Sequence, residues 1–356
     1  MFTSLLEKLA RHEDLTEDEA AGAMREVMEG RAPSASLGAL LSALVMKGER
    51  PAELVGFART MREHAVKLAA PAGEVFDTCG TGGDRSGTFN ISSAAALVVA
   101  ACGVRVAKHG NRSVSSRCGS ADLFEQLGVN VAAPPPVVER TLHEANIAFF
   151  FAPTFHPSMK HAAQTRRELG IRTAFNLLGP LTHPAGAQRQ IVGVPRPELA
   201  DLVARALLRL GCERAWVVHG VDGLDEMSTT GYTKVLECRG GMANTFYVHP
   251  GEFGLSKASP ADLQGGNAVQ NAAIVRDVLA GTRGPARDVV LLHAGAALLV
   301  AGRAGSVREG IALAGAAIDS GAARTTLDRM ARVSQGSPDA AQGRPLDVAR
   351  DRKAAV

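Results

Sequence analysis

Two adjacent carboxylates, Asp225 and Glu226, close the segment D-G-L-D-E at residues 222–226. Neighbouring acidic groups repel each other unless a cation compensates them, and Mg²⁺ in proteins binds one or two carboxylates together with substrate phosphates. The segment follows an apolar, β-prone run at 215–219, and α/β sheets bind ligands at the carboxyl ends of their strands. This position favours a magnesium site over a solvated acidic loop, although the composition fits either.

A second cluster, G-T-G-G-D at 80–84, lies between a predicted strand and a predicted helix that begins near residue 90. Glycine adopts positive φ and lets a ligand approach the backbone, and the start of a helix offers unpaired N–H groups to an anion. Both features suit a pyrophosphate, but a plain tight turn has the same composition. The spacing matches neither the dinucleotide fingerprint nor the Walker phosphate loop.

The segment K-H-G-N-R-S-V-S-S at 108–116 holds two cations, three hydroxyls, an amide and a glycine in nine residues. These groups are enough to bind a phosphate through both charge and hydrogen bonds. A solvated surface turn seldom has this density of polar groups, so we predict a phosphate-binding loop. Ser120, which follows Gly119, is predicted to be the N-cap of the next helix, a role that also allows its hydroxyl to reach a phosphate.

Three arginines, Arg166, Arg167 and Arg172, precede N-L-L-G-P-L at 176–181. A guanidinium binds a carboxylate through two parallel hydrogen bonds, but arginines in a helical stretch more often form a solvated face. The composition does not decide between a binding arginine and a surface arginine.

Composition limits the class of protein. A balance of 39 basic and 36 acidic residues, with 4% aromatic residues, argues against nucleic-acid binding through a basic face or through stacking platforms. The five cysteines lack C-x-x-C spacing, which argues against a zinc site or a disulfide framework and favours a reducing cytoplasm. We expect no signal peptide, because the first twenty residues are rich in acidic side chains, and no membrane contact, because no apolar run reaches the ~18 residues of a spanning helix.

The elements that position these groups change character near residue 70. Residues 1–70 show helical patterns throughout, including a capping box formed by Thr16 and Glu19. Beyond them, strands are predicted at 75–79, 104–107, 147–152, 190–194 and 215–219, and helices at 197–210, 269–280, 286–303 and 306–319. This alternation predicts an α/β fold with a central, mainly parallel sheet. We therefore predict a helical domain at 1–70, joined by part of 156–186, an α/β domain at 71–335, and a disordered polar tail at 336–356.

Five segments, taken in order, resemble the anthranilate phosphoribosyltransferase family: D-T-C-G-T-G-G-D at 77–84, N-I-S-S at 90–93, K-H-G-N-R-S-V-S-S at 108–116, R-E-L-G-I-R-T-A-F-N-L-L-G-P-L at 167–181 and D-G-L-D-E at 222–226. The similarity covers roughly residues 5–335. It implies a small all-helical domain before a large α/β domain of the pyrimidine nucleoside phosphorylase fold, and a homodimer formed through the helical domains. Departures from the family pattern are Ser93, Cys118, Gln164 and His183, and they remove no charged ligand.

The implied reaction transfers the phosphoribosyl group of phosphoribosyl pyrophosphate to the amino group of anthranilate, the second step of tryptophan synthesis from chorismate. Magnesium, with two ions per protomer, would be held by Ser92, Asp225 and Glu226, and the catalytic residues would be Lys108, Asp225 and Glu226. Anthranilate would contact Gly80, Asn111 and Arg166, with Arg166 on its carboxylate and with His109 and Pro180 along the same channel. Phosphoribosyl pyrophosphate would be bound by Gly80, Gly83, Asp84, Thr88, Asn90, Ile91, Ser92, Ser93, Lys108, His109, Gly110, Asn111, Arg112, Ser113, Val114, Ser115, Ser116 and Ser120.

Two alternatives share this fold. A pyrimidine nucleoside phosphorylase would split nucleosides with phosphate, but the continuation of the 108–116 loop after Lys108 and His109 differs from that family. A nucleic-acid-binding relative without enzyme activity would lack the metal carboxylates or carry a basic surface, whereas Asp225 and Glu226 are present and the net charge is +3. The resemblance thus predicts a cytoplasmic enzyme acting on two small molecules.

Overall fold

The computed structural model of the protein describes residues 1–69, 72–113 and 117–336. The chain begins with four helices, α1 (Phe2–Ala10), α2 (Glu17–Met28), α3 (Ser34–Lys47) and α4 (Pro51–Glu63). The predicted capping box at the start of α2 is confirmed, because Glu19 N donates to Thr16 Oγ1 at 3.2 Å and Thr16 N donates to Glu19 Oε2 at 2.7 Å. Pro51 opens α4, where its missing N–H has no helical partner to lose.

The centre of the molecule is a sheet of seven strands with the order β3-β2-β1-β4-β5-β6-β7. Strands β1 to β5 are parallel, so the predicted mainly parallel sheet is confirmed. The seven strands are β1 (Phe76–Gly80), β2 (Val106–Gly110), β3 (Ile147–Phe151), β4 (Arg189–Gly193), β5 (Arg214–Gly220), β6 (Thr233–Arg239) and β7 (Met242–Val248).

Strands β6 and β7 form an antiparallel hairpin that the sequence analysis did not predict. Their connection is Gly240-Gly241, and both glycines have positive φ, as a tight two-residue hairpin turn requires. Strand β7 lies at the edge and is exposed along most of its length, so it lacks the apolar alternation by which a strand is recognised.

Helices cover both faces of the sheet, and the predicted helices near 197–210, 269–280, 286–303 and 306–319 are confirmed within a few residues. A further helix near the end of the described chain was not predicted. The helices after β1 are α5 (Ile91–Ala101), α6 (Ser120–Gln126), α7 (Pro135–Ala145), α8 (Ala152–Phe155), α9 (Lys160–Leu169), α10 (Ala174–Leu178), α11 (Pro197–Arg209), α12 (Ala268–Leu279), α13 (Pro285–Val300), α14 (Val307–Asp319) and α15 (Ala322–Ser334).

Two large apolar cores lie against the sheet. One contains α5, α13 and the strand residues that face them, and the other joins the N-terminal helices to α9, α10 and α11. Helices α9 and α10 thus pack with the N-terminal helices, although the exact division into domains remains a prediction. Among the described residues, no helix combines the length and apolar character needed to cross a membrane. The predicted tail, apart from Gly336, lies outside the described residues.

The order of the strands places the loops of interest together. From β1 the chain moves to β2 and β3 on one side and then returns to β4 on the other side of β1. This reversal is the point at which open α/β sheets form a crevice at the carboxyl ends of their strands. The loops after β1, β2 and β5 all start at this edge, because these strands are parallel.

Candidate active site

The acidic segment after β5 packs directly against the ends of β1 and β4. A Cβ atom on Gly193 would lie 1.5 Å from the carbonyl oxygen of Asp225, and one on Gly80 would lie 2.2 Å from Asp225 Oδ2. Gly80 and Gly193 are also register partners in neighbouring strands. Glycine is therefore required at both positions for the acidic segment to reach the crevice.

Asp222 folds the segment that carries the other two carboxylates. Its Oδ1 accepts a hydrogen bond from Leu224 N at 3.2 Å, and its Oδ2 accepts from Ser228 Oγ at 2.8 Å and from Thr230 Oγ1. The three acids of D-G-L-D-E therefore differ in role, since Asp222 satisfies its own loop while Asp225 and Glu226 are turned inward and buried.

Asp225 and Glu226 are buried, and their charge is only partly compensated, by Arg172 at Asp225 and by Lys108 at Glu226. Asp225 Oδ2 accepts from Gly82 N at 2.8 Å, and Glu226 Oε1 accepts from Ser92 N in the first turn of α5 at 3.1 Å. Burial raises the pKa of both carboxyl groups. The negative charge of Asp84 raises the pKa of Asp225 further, and the negative charge of Asp225 raises the pKa of Glu226 further. Burial and mutual repulsion therefore create a site that gains from a bound cation.

The donor set fits magnesium that is completed by a substrate. Two carboxylates and the Ser92 hydroxyl are hard oxygen donors, as Mg²⁺ prefers. Within the described ranges, no group of three or more His, Cys, Asp or Glu side chains is arranged to hold a metal ion. An ion held here would therefore need oxygen ligands from elsewhere, and substrate phosphates are the usual source.

Lys108 brings a buried positive charge to the same region. It lies on β2, is 2% exposed, and donates from Nζ to the carbonyl oxygen of Thr78 on β1 at 2.5 Å. Its charge lowers the pKa of Glu226, against the larger effect of burial. Lys108 is thus held between the sheet and the acidic pair.

The loop after β1 forms a small polar network of its own. Asp84 Oδ2 accepts from Ser86 Oγ at 2.5 Å, and Ser86 Oγ lies 3.2 Å from Thr88 Oγ1. Arg172 donates from its NH2 group to Thr81 O at 3.0 Å and stands so close to Gly83 that a Cβ there would be 1.9 Å from its NH1 group. No motif indicated a role for Arg172. In the structure its side chain supports this loop.

Two predicted phosphate ligands are engaged with protein groups. Asn90 donates to Cys118 O at 3.2 Å and accepts from Asn271 Nδ2 at 2.9 Å, so its side chain links α5 to α12. The exposed Arg112 forms ion pairs with Asp122 at 3.0 Å and with Glu125 at 2.8 Å. Their phosphate-binding roles therefore remain predictions.

The prediction that Ser120 starts a helix is confirmed, but its predicted role as the N-cap is wrong. Helix α6 begins at Ser120 itself and its N-cap is Gly119, because Asp122 Oδ2 accepts from Gly119 N at 2.9 Å and from Ser113 N at 3.1 Å. The side chains of Ile91 and Ser93 are buried in α5, and Ile91 N donates to Phe89 O at 2.8 Å, so their phosphate-binding roles also remain predictions. Val114, Ser115 and Ser116 lie outside the described residues.

A cavity of about 480 Å³ adjoins the glycine loop. The Arg166 guanidinium faces it, with Cζ 5.0 Å from the centre of the Phe175 ring, and forms no hydrogen bond or ion pair with the residues that the structure describes. Its neighbour Arg167 is exposed. The geometry thus separates the two arginines that composition left equivalent. Also among the lining residues are Gly80, His109, Gly110, Asn111, His156, Gly179 and Pro180.

Two buried histidines, His109 and His156, line this cavity, and a third, His183, packs against His109. The ring centre of His109 lies 5.4 Å from that of His156 and 5.6 Å from that of His183. Burial lowers the pKa of His109 to about 3 and the pKa values of His156 and His183 to about 4, so all three are uncharged at neutral pH. No motif identified His156 as part of the site.

The fold and the site together are typical of a transferase class: a glycine-lined crevice with two buried carboxylates lies beside a cavity that the Arg166 guanidinium faces. Family models agree with this class. The model described as "Glycosyl transferase family, a/b domain" matches residues 72–324, and the model described as "Glycosyl transferase family, helical bundle domain" matches residues 3–65.

Individual relatives narrow the class. The anthranilate phosphoribosyltransferase of Moorella thermoacetica is 55% identical over 330 residues, which cover 93% of this chain and 97% of that protein. The crystal structure of the Thermus thermophilus enzyme of the same name is 45% identical, with a TM-score of 0.87 over 93% of this chain and 99% of its own. The Saccharomyces cerevisiae enzyme in complex with PRPP and Mg is 27% identical, with a TM-score of 0.86 over 94% and 98% of the two chains.

The yeast enzyme has also been solved with 4-fluoroanthranilate, at 26% identity and a TM-score of 0.82 over 95% of this chain and 99% of that one. From these matches, the chain belongs to the anthranilate phosphoribosyltransferase family. It is an enzyme, a glycosyltransferase of tryptophan biosynthesis.

Proposed function

We propose how this chain's residues carry out the family reaction, in which anthranilate and phosphoribosyl pyrophosphate give N-(5-phosphoribosyl)anthranilate and pyrophosphate. The observation that carries the acceptor assignment is the Arg166 guanidinium, which faces the 480 Å³ cavity, lies over the Phe175 ring and forms no hydrogen bond or ion pair with the described residues. A desolvated guanidinium gains most from a carboxylate that binds it through two hydrogen bonds. Anthranilate has such a group beside its amine, and its ring matches the aromatic and apolar wall.

The two neutral histidines of the cavity wall suit this acceptor. The aromatic amine of anthranilate is uncharged near pH 7 and attacks through its lone pair, so it needs neither a strong base nor a positive charge beside it. His109 and His156 provide polar, uncharged walls because burial keeps their pKa values near 3 and 4. The glycine loop at Gly80 lies on the wall of the same cavity, so the amine would meet the ribose carbon there.

In the transfer, the bond between the amine nitrogen and the anomeric carbon forms as the bond from that carbon to the pyrophosphate oxygen breaks. Pyrophosphate leaves with the electron pair and the amine loses one proton. The transition state resembles the oxocarbenium ion of glycosyl transfer, so the protein's main tasks are to align the two substrates and to stabilise the departing negative charge. We assign the second task to Lys108 and to backbone N–H groups of the glycine loop.

Asp225, Glu226 and the Ser92 hydroxyl would hold magnesium, for which we propose two ions per protomer. The ion would supply charge stabilisation for the leaving pyrophosphate. Support comes from the two buried carboxylates, whose pKa values burial raises, and from the magnesium and PRPP found with the yeast enzyme. Titration of the protein with Mn²⁺ in the presence of PRPP would count the ions, and a stoichiometry of one would correct the number.

We also propose a homodimer formed through the helical domain at 1–70 together with part of 156–186. Helix α3 of this region exposes Met46 to 82% and Val45 to 37%, an apolar surface suited to a partner. Light scattering of the purified protein should give the mass of two chains, and the mass of one chain would contradict the proposed homodimer. A cytoplasmic location, where thiols stay reduced, is also part of this proposal.

The test of the reaction is the loss of anthranilate fluorescence when purified protein is mixed with PRPP and Mg²⁺. We expect consumption that requires both and that stops when EDTA removes the metal. If anthranilate persists under every metal condition while pyrimidine nucleosides are split by phosphate, the acceptor assignment is wrong and the phosphorylase alternative replaces it.

A further inference from the structure

Helix α13 contains a buried polar side chain that has no assigned role in the reaction. Its buried residues are otherwise apolar, apart from Arg287 near its start, yet His293 is 1% exposed at its middle. An imidazole sealed in a core is stable when both ring nitrogens have partners. One of the two groups next to the ring nitrogens of His293 belongs to the acidic pair.

The imidazole lies between a residue of β1 and a residue of the acidic segment after β5. Its Nε2 lies 2.7 Å from Thr78 Oγ1 on β1, and its Nδ1 lies 3.1 Å from Glu226 Oε2. The carbonyl oxygen of the same Thr78 accepts the hydrogen bond from Lys108 Nζ at 2.5 Å. Thr78 therefore connects to Lys108 through its backbone and to Glu226 through His293.

The direction of these bonds depends on the charge of Glu226. When Glu226 holds a cation it is ionised and only accepts, so Nδ1 would then carry the proton toward Glu226 and Nε2 would accept from the Thr78 hydroxyl. Met227 N lies 3.4 Å from Nδ1 and donates to it only while Nδ1 carries no proton, so this longer contact is given up in that tautomer. A neutral imidazole of this tautomer satisfies both neighbours.

The carboxylate of Glu226 therefore has a neighbour at each oxygen: Ser92 N donates to Oε1 at 3.1 Å, and His293 Nδ1 lies within ion-pair distance of Oε2, also at 3.1 Å. The terminal torsion of a glutamate side chain is broad, so a carboxylate held at one oxygen rotates, whereas one held at both keeps its plane. We propose that His293 is a positioning residue that orients Glu226 for magnesium. This inference rests on the proposed metal role of Glu226.

The chain offers a matched pair of variants. In His293→Asn the side-chain amide nitrogen falls near the position of Nδ1, which keeps a donor for Glu226 and gives up Thr78. In His293→Gln the amide reaches the position of Nε2, which keeps Thr78 and leaves Oε2 without a donor. The readout is Mn²⁺ binding in the presence of PRPP and without anthranilate, followed by the electron paramagnetic resonance signal of free Mn²⁺.

We expect His293→Gln to weaken Mn²⁺ binding by ~10-fold or more, as is typical when a group that orients a metal ligand is lost, and His293→Asn to stay within ~3-fold of wild type. The KM for anthranilate should be unchanged in both. Wild-type affinity in His293→Gln, or an equal loss in both variants, would overturn the proposal.

Two further variants separate the possible failures. Glu226→Gln should lose the Mn²⁺ site, and if it binds Mn²⁺ as wild type does, the proposed metal role itself fails. Should His293→Gln not fold, Thr78→Val replaces it, since this change removes the hydroxyl that anchors the imidazole but keeps the carbonyl that holds Lys108. Weakened Mn²⁺ binding in Thr78→Val supports the inference, and wild-type binding overturns it.

Discussion

The crevice has two neighbouring regions that treat charge in opposite ways. In the acidic region, burial raises the pKa values of Asp225 and Glu226 and leaves them in need of a cation. In the histidine-lined cavity, burial lowers the pKa values of His109 and His156 and keeps those groups neutral. The same physical cause, loss of water around an ionisable group, thus acts on both regions.

The difference shows how one crevice accommodates two unlike substrates. The acidic region has surplus negative charge that a metal and a phosphorylated substrate neutralise together. The cavity has the half-buried Arg166 guanidinium and the exposed Lys160 in otherwise uncharged walls, which suits an acceptor with one carboxylate and an uncharged amine. If this division is right, changes in the first region should lower turnover and changes in the second should weaken binding of the acceptor.

The largest effect is expected for the double variant Asp225→Asn/Glu226→Gln. It keeps the shape of the region but removes both charges, so turnover should fall by ~1,000-fold or more, because stabilisation of the leaving group is lost. Its stability should not fall, since neutral amides are cheaper to bury than carboxylates. Anthranilate fluorescence and urea denaturation provide the two measurements.

Asp201→Asn is the control for that variant, because Asp201 is a carboxylate on the exposed side of α11 with 57% side-chain exposure. It should retain wild-type turnover. Comparable turnover in the double variant and in this control would contradict the role of the acidic region.

Arg166→Ala should raise the KM for anthranilate by ~10- to 100-fold, with a smaller change in kcat, since a charged hydrogen bond to a carboxylate contributes about 1.5–3 kcal/mol. Arg167→Ala is a closely matched control, being the next residue in the same helix but exposed. A similar KM change in both variants would remove the distinction between them and with it the acceptor assignment.

The neutral state of the cavity histidines predicts a pH effect on stability. The folded pKa of His156 is about 4, below the ordinary value of 6.5, because of burial. The stability that depends on its neutral form is therefore present above pH 6.5 and is lost as pH falls toward 4. Relative to His156→Asn, wild type should lose about 1.4 kcal/mol of unfolding free energy for each pH unit in that window.

Urea denaturation of both proteins between pH 7.5 and 5 measures this difference. Titration of Asp225 and Glu226 changes the unfolding free energy in the opposite direction. Both residues are present in wild type and in His156→Asn, so their contribution cancels in the difference between the two proteins. A pH-independent difference between wild type and His156→Asn would show that His156 has the same pKa in the folded and unfolded states, and the contrast between the two regions would then be lost.

The smallest effect is expected from removal of residues 337–356. The site residues of both regions lie between Asp77 and His293, and the last described helix, α15, packs on the α/β core through Leu327 and Met330. Activity and stability should therefore stay at the wild-type level. A large loss of turnover would mean that the tail contributes to one of the two regions.

Much of this organisation follows from sequence patterns. Apolar runs that end in glycine-rich segments indicated strands β1 to β5, because burial on both faces requires continuous apolar residues. The five motifs identified the family, and with it the glycine loop, Lys108 and the acidic pair. The hairpin of β6 and β7 escaped because an exposed edge strand leaves no apolar pattern.

The sequence by itself determined which chemical groups the protein has and which local elements carry them, since helix caps, turns and strands depend on neighbouring residues. The tertiary structure decided which groups meet. It turned Asp222 to its own loop and Asp225 to the crevice, exposed Arg167 and left Arg166 facing the cavity, and joined Thr78 to His293 across 215 positions. Such contacts depend on strand order and helix packing over long separations, and no pattern of neighbouring residues encodes them.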